Sequence, residues 1–215
     1  MNFWSVLKDD TGFRRLARYA SVTPFSRAGW LKSLSGVCSV DPVWKALHFL
    51  VKFRQSRQGL GTDFATISRN RTRGGMNEQV SSWLSAIASL PEFHERLQRV
   101  VIENLPALEI IKQQDSENTF FYCDPPYVPS TRSAGKYKHE MTEGDHEELL
   151  KLLAGIKGKF ILSGYWSKLY EAYSDKYSWF EDWKEIDNKA SSSKTKERKK
   201  EFLWMNFDPE SRKEE

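Results

Sequence analysis

The sequence predicts an α/β fold in which helices alternate with the strands of a partly parallel sheet. After residue 99, short apolar runs alternate with segments whose apolar residues recur at helical spacing. The predicted elements are a short buried strand at 100–102, a helix at 107–111, a strand at 119–123, a helix ending at 153, a strand at 159–162, a helix at 167–173, and strands at 179–186 and 201–206. Thr142 and Asp145 have the spacing of a capping pair for the helix that ends at residue 153. We expect the last two strands to form an antiparallel edge.

The first 90 residues predict helices instead of strands. Apolar residues recur at helical spacing in residues 2–7 and 13–19, and Pro24 should end that pattern. Two more amphipathic stripes cover residues 43–51 and 80–87. The segment after the first of these stripes is polar, basic and punctuated by glycines. This part of the chain therefore differs in character from residues 91–215.

Composition and charge set broad limits on the fold and on the partners. A hydrophobic content of 39% and an aromatic content of 13% in 215 residues can build a real core, which excludes global disorder. The length fits one large domain, or one domain with an insertion. The formal net charge of +4 permits binding to nucleic acid without demonstrating it.

The sequence has no features of an exported or membrane protein. No apolar run approaches the roughly 20 residues of a membrane span, and the first residues lack the basic start and apolar stretch of a signal peptide. The cysteines, Cys38 and Cys123, provide neither a disulfide framework nor a metal cluster, and Cys123 fits the role of a small buried apolar residue. We therefore expect the protein in a reducing cytoplasm.

The motif with the clearest chemical meaning is Asp124-Pro125-Pro126-Tyr127, directly after the predicted strand at 119–123. The Asp124 carboxylate and a carbonyl in the Pro-Pro segment can each accept a hydrogen bond from an exocyclic amine. Neither proline has an N–H to compete for that space, and both have a fixed φ. The Tyr127 ring offers a stacking face, worth roughly 1–3 kcal/mol per base. An ordinary turn is the alternative, but the combination favours a site for a flat, amine-bearing ring.

Residues 121–127, Phe-Tyr-Cys-Asp-Pro-Pro-Tyr, resemble the catalytic motif of the adenine-N6 DNA methyltransferases that use S-adenosylmethionine, in the group of the bacterial DNA adenine methylase. Asp124 fits that group, whereas Ser or Thr there is typical of cytosine-N4 enzymes and Asn of glutamine methylases. Residues 137–142, 145–150, 160–165 and 200–206 follow in the order that the family shows. The resemblance implies an α/β, Rossmann-like methyltransferase sheet with an inserted, mostly helical target-recognition region.

The resemblance also implies the reaction and its residues. A methyl group passes from S-adenosylmethionine to N6 of adenine in double-stranded DNA, after the target base has left the duplex. The catalytic residues are then Asp124, Pro125, Pro126 and Tyr127, with Asp124 and the Pro125 carbonyl accepting hydrogen bonds from the amine. Tyr122 and Asp124 are the candidate contacts to the cofactor. The chemistry needs no metal.

The family places its target-recognition region between its cofactor and catalytic motifs. The implied division is N-terminal helices of the catalytic domain at 1–24, the recognition region at 25–90 and the catalytic methyltransferase domain at 91–215. Basic side chains concentrate in the recognition region: Lys52, Arg54, Arg57, Arg69, Arg71 and Arg73. A solvated basic loop is the alternative, but the position favours contacts with DNA phosphates, which orient a protein without specifying a sequence. A second basic run, residues 191–200, is expected in a loop, either mobile or near the DNA.

The family's cofactor site begins with a strand, a Phe-containing glycine-rich turn and a helix, and a second strand follows that ends in an acidic residue. Residues 2–7 resemble the helix after that second strand. Neither Gly59-Leu60-Gly61 nor Gly74-Gly75 follows an apolar strand, so neither is expected to be the cofactor turn. We therefore expect this chain to lack the N-terminal strands and most of the methyl-donor site.

Three hypotheses follow. The chain is a methyltransferase whose N-terminal strands come from a separate fragment or a differently placed start codon, an inactive remnant that still binds DNA, or an unrelated α/β protein. A restriction-modification system, a phage and a solitary methylase are all open as the context of the enzyme. The histidines at His139 and His146 are expected in surface or capping roles rather than at a metal.

Overall fold

The computed structural model of the chain describes residues 2–35, 40–67, 70–131, 139–187 and 198–211. The chain forms two units, Met1–Asn104 and Leu105–Glu215, which we call the N-terminal unit and the C-terminal unit. Among the described residues, no helix is both long enough and apolar enough to cross a membrane.

The N-terminal unit is built from helices and one short hairpin. Its elements are α1 (Asn2–Lys8), α2 (Asp10–Ser21), α3 (Arg27–Leu34), α4 (Pro42–Arg54), a 3-10 turn (Arg57–Gly59), the hairpin strands β1 (Thr72–Arg73) and β2 (Met76–Asn77), α5 (Glu78–Ala88) and α6 (Leu90–Leu97). Side-chain oxygens of Asp9, Ser26, Asp41 and Asn77 accept hydrogen bonds from the first turns of α2, α3, α4 and α5. The helices predicted at 2–7, 13–19, 43–51 and 80–87 are present as α1, α2, α4 and α5. Helices α2 to α5 each begin at a polar capping residue.

The core of the N-terminal unit is aromatic and aliphatic. Leu16 and Trp83 are almost completely buried. The indole N–H of Trp83 donates to the Thr23 carbonyl at 3.0 Å, and that of Trp30 donates to the Lys52 carbonyl at 3.0 Å. Each large ring is therefore packed without leaving its N–H unsatisfied.

The strand predicted at residues 100–102 is wrong. These residues form no strand, and the Val101 side chain is 79% exposed. The Val100 N–H instead donates to the Leu97 carbonyl, at the end of α6. A run of β-branched residues becomes a strand only where a neighbouring strand completes its hydrogen bonds, and no described strand lies beside this run.

The C-terminal unit contains a mixed sheet with helices. Its elements are α7 (Ala107–Gln114), β3 (Phe120–Cys123), a 3-10 turn (Pro129–Thr131), α8 (Glu143–Leu153), β4 (Lys159–Tyr165), α9 (Lys168–Tyr177), β5 (Phe180–Asp187) and β6 (Arg198–Met205). The strand order is β3-β4-β6-β5. Strands β3 and β4 are parallel, and β6 runs antiparallel to both of its neighbours. The last strand of the chain therefore lies inside the sheet, between β4 and β5.

Two local predictions in this unit have clear outcomes. Thr142 and Asp145 form the predicted capping box at the start of α8. The basic run at 191–200 was predicted in a loop, but residues 198–200 are the first residues of β6; residues 191–197 lie outside the described part of the chain.

The two faces of the sheet have different surroundings. Phe160, Leu162 and Trp204 are completely buried in one core cluster together with Leu150 of α8 and Tyr170 of α9. Since side chains alternate along a strand, the neighbouring residues of β4 and β6 point to the opposite face. That second face carries the polar residues of the candidate site.

Candidate active site

The motif Asp124-Pro125-Pro126-Tyr127 begins where β3 ends, because β3 closes at Cys123. Strand β4 runs parallel to β3, with Cys123 paired to Leu162. The carboxyl ends of the two strands therefore meet at one edge of the sheet, which is where ligands bind in open α/β sheets. The loop that follows, residues 124–131, starts at this edge.

A hydrogen bond from the neighbouring strand holds the Asp124 carboxylate. The hydroxyl of Ser163 on β4 donates to Asp124 Oδ1 at 3.0 Å and lies 3.4 Å from the Cys123 carbonyl oxygen. Ser163 is buried, whereas Asp124 is exposed. The carboxylate is therefore oriented by a buried donor and still accessible to a ligand.

Tyr127 is held through both its hydroxyl and its ring. Its hydroxyl donates a hydrogen bond to Oε1 of Glu201 on β6. Its ring meets the ring of Tyr165 edge to face, with 4.7 Å between the centroids. Burial first, then the hydrogen bond to Glu201 and the negative charges of Glu201 and Asp124, raise the pKa of Tyr127 well above its usual value of 10.0. The hydroxyl therefore stays protonated and acts as a donor.

Lys199, also on β6, holds the far end of the same loop. Its ammonium group donates to the Thr131 carbonyl at 3.1 Å and lies 5.0 Å from the centroid of the Tyr165 ring. Together with the contacts of Ser163 and Glu201, this contact fastens the loop to β4 and β6 at its start, middle and end.

A cavity of about 680 Å³ lies beside this loop. Its walls include Thr131 and the aromatic residues Tyr165 and Trp166, and the Trp166 side chain is 45% exposed. The charged residues that line it are Lys168, Lys199, Lys200 and Glu143. The cavity therefore combines aromatic surface with a net positive charge.

The other predicted residues in and next to the motif differ in their exposure to solvent. Pro125 and Pro126 are half-buried, and the Tyr122 side chain is 63% exposed. Cys123 is half-buried rather than fully buried, and burial raises the pKa of its thiol to about 11. A thiol with so high a pKa is a poor nucleophile at neutral pH, so Cys123 is a packing residue.

The predicted DNA-binding residues that the structure describes lie on several elements of the N-terminal unit. Arg57 and Arg71 line one polar cavity of about 380 Å³. Lys52 and Arg54 lie in the last turn of α4, where Arg54 lines a separate, mainly aromatic groove. The side chain of Arg73 is on β1 and exposed. Arg69 lies outside the described residues.

The two glycine pairs have local roles in turns. Gly74 and Gly75 connect β1 to β2 with φ values of +60° and +74°, as a two-residue hairpin turn requires. Gly59 and Gly61, also at positive φ, lie in the loop after α4. In the part of the chain that the structure describes, no glycine-rich turn joins a strand of the larger sheet to a helix.

The prediction for His146 is wrong, because this residue belongs to the core. It is completely buried, and its Nδ1 lies 2.9 Å from the Tyr170 hydroxyl. His139 is exposed. No group of three or more possible metal ligands occurs among the described residues.

Sequence reasoning missed three residues of this site: Ser163, Lys199 and Glu201. Ser163 follows Leu162 and Glu201 precedes Phe202, so each is a polar residue beside an apolar one in a strand, and that contrast was the available signal; Lys199 lies between Arg198 and Lys200 and has no such signal. Which loop they contact depends on the strand order, and periodicity does not reveal it.

The geometry defines a class of protein: an α/β enzyme with a carboxylate and a tyrosine at the carboxyl edge of a mixed sheet. Residues 67–191, which are 125 of the 215 residues, match the model of the D12 class N6 adenine-specific DNA methyltransferase family. The chain belongs to this family, and its reaction is accordingly the site-specific methylation of adenine in DNA. A comparison with curated proteins gives no significant match.

Proposed function

We propose that the loop at residues 124–131 binds the adenine to be methylated and presents its N6 amine for reaction. The observation that carries this proposal is the orientation of the exposed Asp124 carboxylate by buried Ser163, beside a fixed Tyr127. All three residues lie in the segment that matches the family.

Asp124 and the Pro125 carbonyl accept the two hydrogen bonds of the amine in this proposal. Accepting both hydrogen bonds raises the electron density on N6 and turns its lone pair toward the methyl donor. The hydrogen bond from Ser163 orients the Asp124 carboxylate before the base arrives, so this acceptor need not reorganise as the reaction proceeds. Pro126 keeps the turn rigid, because its φ is fixed.

The cavity beside the loop, which neither Asp124 nor Tyr127 lines, receives the sugar and phosphates that flank the extruded base. Its volume of about 680 Å³ lies within the usual range of small-molecule sites, roughly 300–1,000 Å³. Tyr127 stacks on the base, and Lys168 and Lys200 attract the phosphates on either side of it. Adenine must leave the duplex for this to happen, since its reacting atom is out of reach of an enzyme inside the stack.

Double-stranded DNA is the proposed partner, held by the basic residues of a recognition region at 25–90 between N-terminal helices at 1–24 and a catalytic domain at 91–215. Lys52, Arg54, Arg57, Arg69, Arg71 and Arg73 contact phosphates in this proposal. The exposure of Arg54, Arg57, Arg71 and Arg73 supports it. A cytoplasmic location stays a prediction that a DNA substrate favours.

The proposed methyl donor is S-adenosylmethionine, the donor that the family resemblance implies, with Tyr122 and Asp124 on the donor side of the site. The described residues do not fit the whole cofactor, because no glycine-rich turn follows a strand of the larger sheet. Among those residues, β3 pairs with β4 alone. We propose that a further segment pairs with β3 and completes the donor site; a remnant that only binds DNA is the second candidate.

Methyl transfer to unmethylated genomic DNA, which contains every short sequence, tests the proposal. The 215-residue chain is incubated with S-adenosylmethionine carrying a labelled methyl group, with and without a peptide that carries a strand, a glycine-rich turn and a helix. N6-methyladenine is then measured by mass spectrometry. We expect little transfer by the chain alone and clear transfer with the peptide, and we expect Asp124→Ala to abolish it.

Asp115→Ala is the matched control, since that carboxylate accepts hydrogen bonds from the backbone N–H groups of Lys157 and Gly158, away from the motif. It should reduce stability but not the chemistry of the folded enzyme. Transfer that survives Asp124→Ala would disprove the assignment of the site. A folded complex that binds DNA and transfers nothing would establish the remnant.

A further inference from the structure

Glu201 lies outside the segment that matches the family, which ends at residue 191. It is on β6, directly opposite Tyr165 of β4, so both side chains point to the same face of the sheet. Glu201 is half-buried, and its carboxylate accepts a hydrogen bond from the hydroxyl of Tyr127. Hydrogen bonds to a charged acceptor are roughly twice as strong as those between neutral groups.

The ring of Tyr127 depends on contacts for its orientation. It projects from a loop that lies between β3 and a 3-10 turn, not from a helix or strand. The bond to Glu201 fixes the position of the hydroxyl, and the edge of Tyr165 contacts the ring from the side. Together, the two contacts determine the plane in which the ring lies.

Glu201 differs from the other carboxylates of the same hairpin. Glu181 accepts the indole N–H of the fully buried Trp204 at 2.9 Å, which is a contact within the core. Glu185 pairs with Arg198 at 3.3 Å, and both side chains are exposed. Glu201 alone among these three contacts the 124–131 loop.

We propose that Glu201 is a positioning residue for methyl transfer, and that it acts by holding the Tyr127 hydroxyl so that the ring stacks on the extruded adenine. This inference rests on the proposed function of the preceding subsection. Glu201 does not touch the base in this proposal. Its effect passes entirely through the Tyr127 hydroxyl, and this is what makes the proposal testable.

The test is a double-mutant cycle under the conditions that give methyl transfer by the wild-type protein. The variants are Glu201→Ala, Glu201→Gln, Tyr127→Phe and the double variant Glu201→Ala/Tyr127→Phe, with Glu185→Gln as the control on the same hairpin. For each, kcat and the KM for unmethylated DNA are measured. Thermal unfolding identifies any variant that fails to fold.

We expect Glu201→Ala and Tyr127→Phe each to lower kcat by roughly tenfold, the effect of one charge-assisted hydrogen bond. The KM for DNA should change little, because phosphate contacts elsewhere dominate affinity. The double variant should be no slower than either single variant. Glu201→Gln should retain most of the activity, since the amide oxygen can still accept a hydrogen bond from the Tyr127 hydroxyl.

Each other outcome overturns the proposal. If the losses of Glu201→Ala and Tyr127→Phe multiply in the double variant, Glu201 acts independently of Tyr127. If Glu201→Gln folds and is as slow as Glu201→Ala, its charge and not the hydrogen bond matters. If the kcat of Glu201→Ala equals that of the control Glu185→Gln, Glu201 has no role in methyl transfer. If the wild-type chain transfers no methyl group even with the peptide that completes the donor site, the proposed function is wrong and the role of Glu201 falls with it.

Discussion

The two units use buried polar groups in different ways. In the N-terminal unit, the completely buried Gln55 donates to the Pro24 carbonyl at 3.0 Å and accepts the Ser26 N–H at 3.1 Å. In the C-terminal unit, buried Ser163 donates to a carboxylate that is itself exposed. Polar groups that bond to backbone fix the shape of a chain, whereas polar groups that bond to an exposed side chain prepare that side chain for a ligand.

The largest effect that we expect in the N-terminal unit is on DNA binding. Replacing Arg54, Arg57, Arg69, Arg71 and Arg73 together by alanine should weaken duplex binding by about 100-fold near 0.1 M salt, because fewer counterions are released. Binding is measured by fluorescence anisotropy over a range of salt concentrations. The slope of log affinity against log salt should become shallower, by about 0.9 for each lost phosphate contact. An unchanged slope would mean that these residues do not contact phosphates.

Gln55→Ala tests the structural role of the buried amide. We expect a loss of roughly 2–3 kcal/mol in the free energy of unfolding, because two backbone groups lose their partner in the core. Chemical denaturation gives that free energy, and Gln113→Ala, at an exposed position on α7, is the control. A loss as small as that of the control would show that water replaces the amide.

Ser163→Ala tests the corresponding group in the C-terminal unit. We expect methyl transfer to slow by about tenfold, since Asp124 loses the hydrogen bond that orients it. The free energy of unfolding should change much less than with Gln55→Ala, because the Asp124 carboxylate is exposed and water can solvate it. Stability that falls without any change in the rate of transfer would assign Ser163 to the fold instead of the site.

The smallest effect that we expect is a fall in the free energy of unfolding at alkaline pH, caused by groups in the C-terminal unit. Burial raises the pKa of Cys123 from 9.0 to about 11, and burial also raises the pKa of Tyr170 above 10.0. Tyr127 shifts in the same direction. Above pH 9 the unfolded chain therefore loses protons that the folded chain retains, so the free energy of unfolding should fall as pH rises from 9 to 11.

Chemical denaturation at several pH values between 8 and 11 measures this fall, with Cys123→Ala as the matched variant. Removing the thiol should make the decline shallower, because one of the groups that retain protons is gone. In the N-terminal unit, hydrogen bonds with Tyr19 and Asp41 raise the pKa of Arg15, and the hydrogen bond from the Val43 N–H lowers the pKa of Asp41, so both groups titrate outside this range. A decline that Cys123→Ala leaves unchanged would contradict the assignment.

Local patterns in the sequence determined most of the elements and the position of the motif. The stripe at residues 43–51 lies within α4, the apolar run at 119–123 contains β3, and the predicted capping box starts α8. Each of these features depends on neighbours within a few residues, so periodicity, capping residues and turn residues are sufficient to predict it. The placement of Asp124 directly after a strand follows from the same local information.

Only the tertiary structure decided which strands are neighbours, and hence what contacts the motif. A period of two identifies a strand but not its partner. Because β6 lies between β4 and β5, it brings Glu201 to Tyr127, 74 residues earlier in the chain. Ser163 reaches Asp124 across 39 residues because β4 pairs with β3. The run at 100–102 has the pattern of a strand, but no described strand pairs with it. His146 is buried in the core, where it contacts Tyr170, 24 residues away.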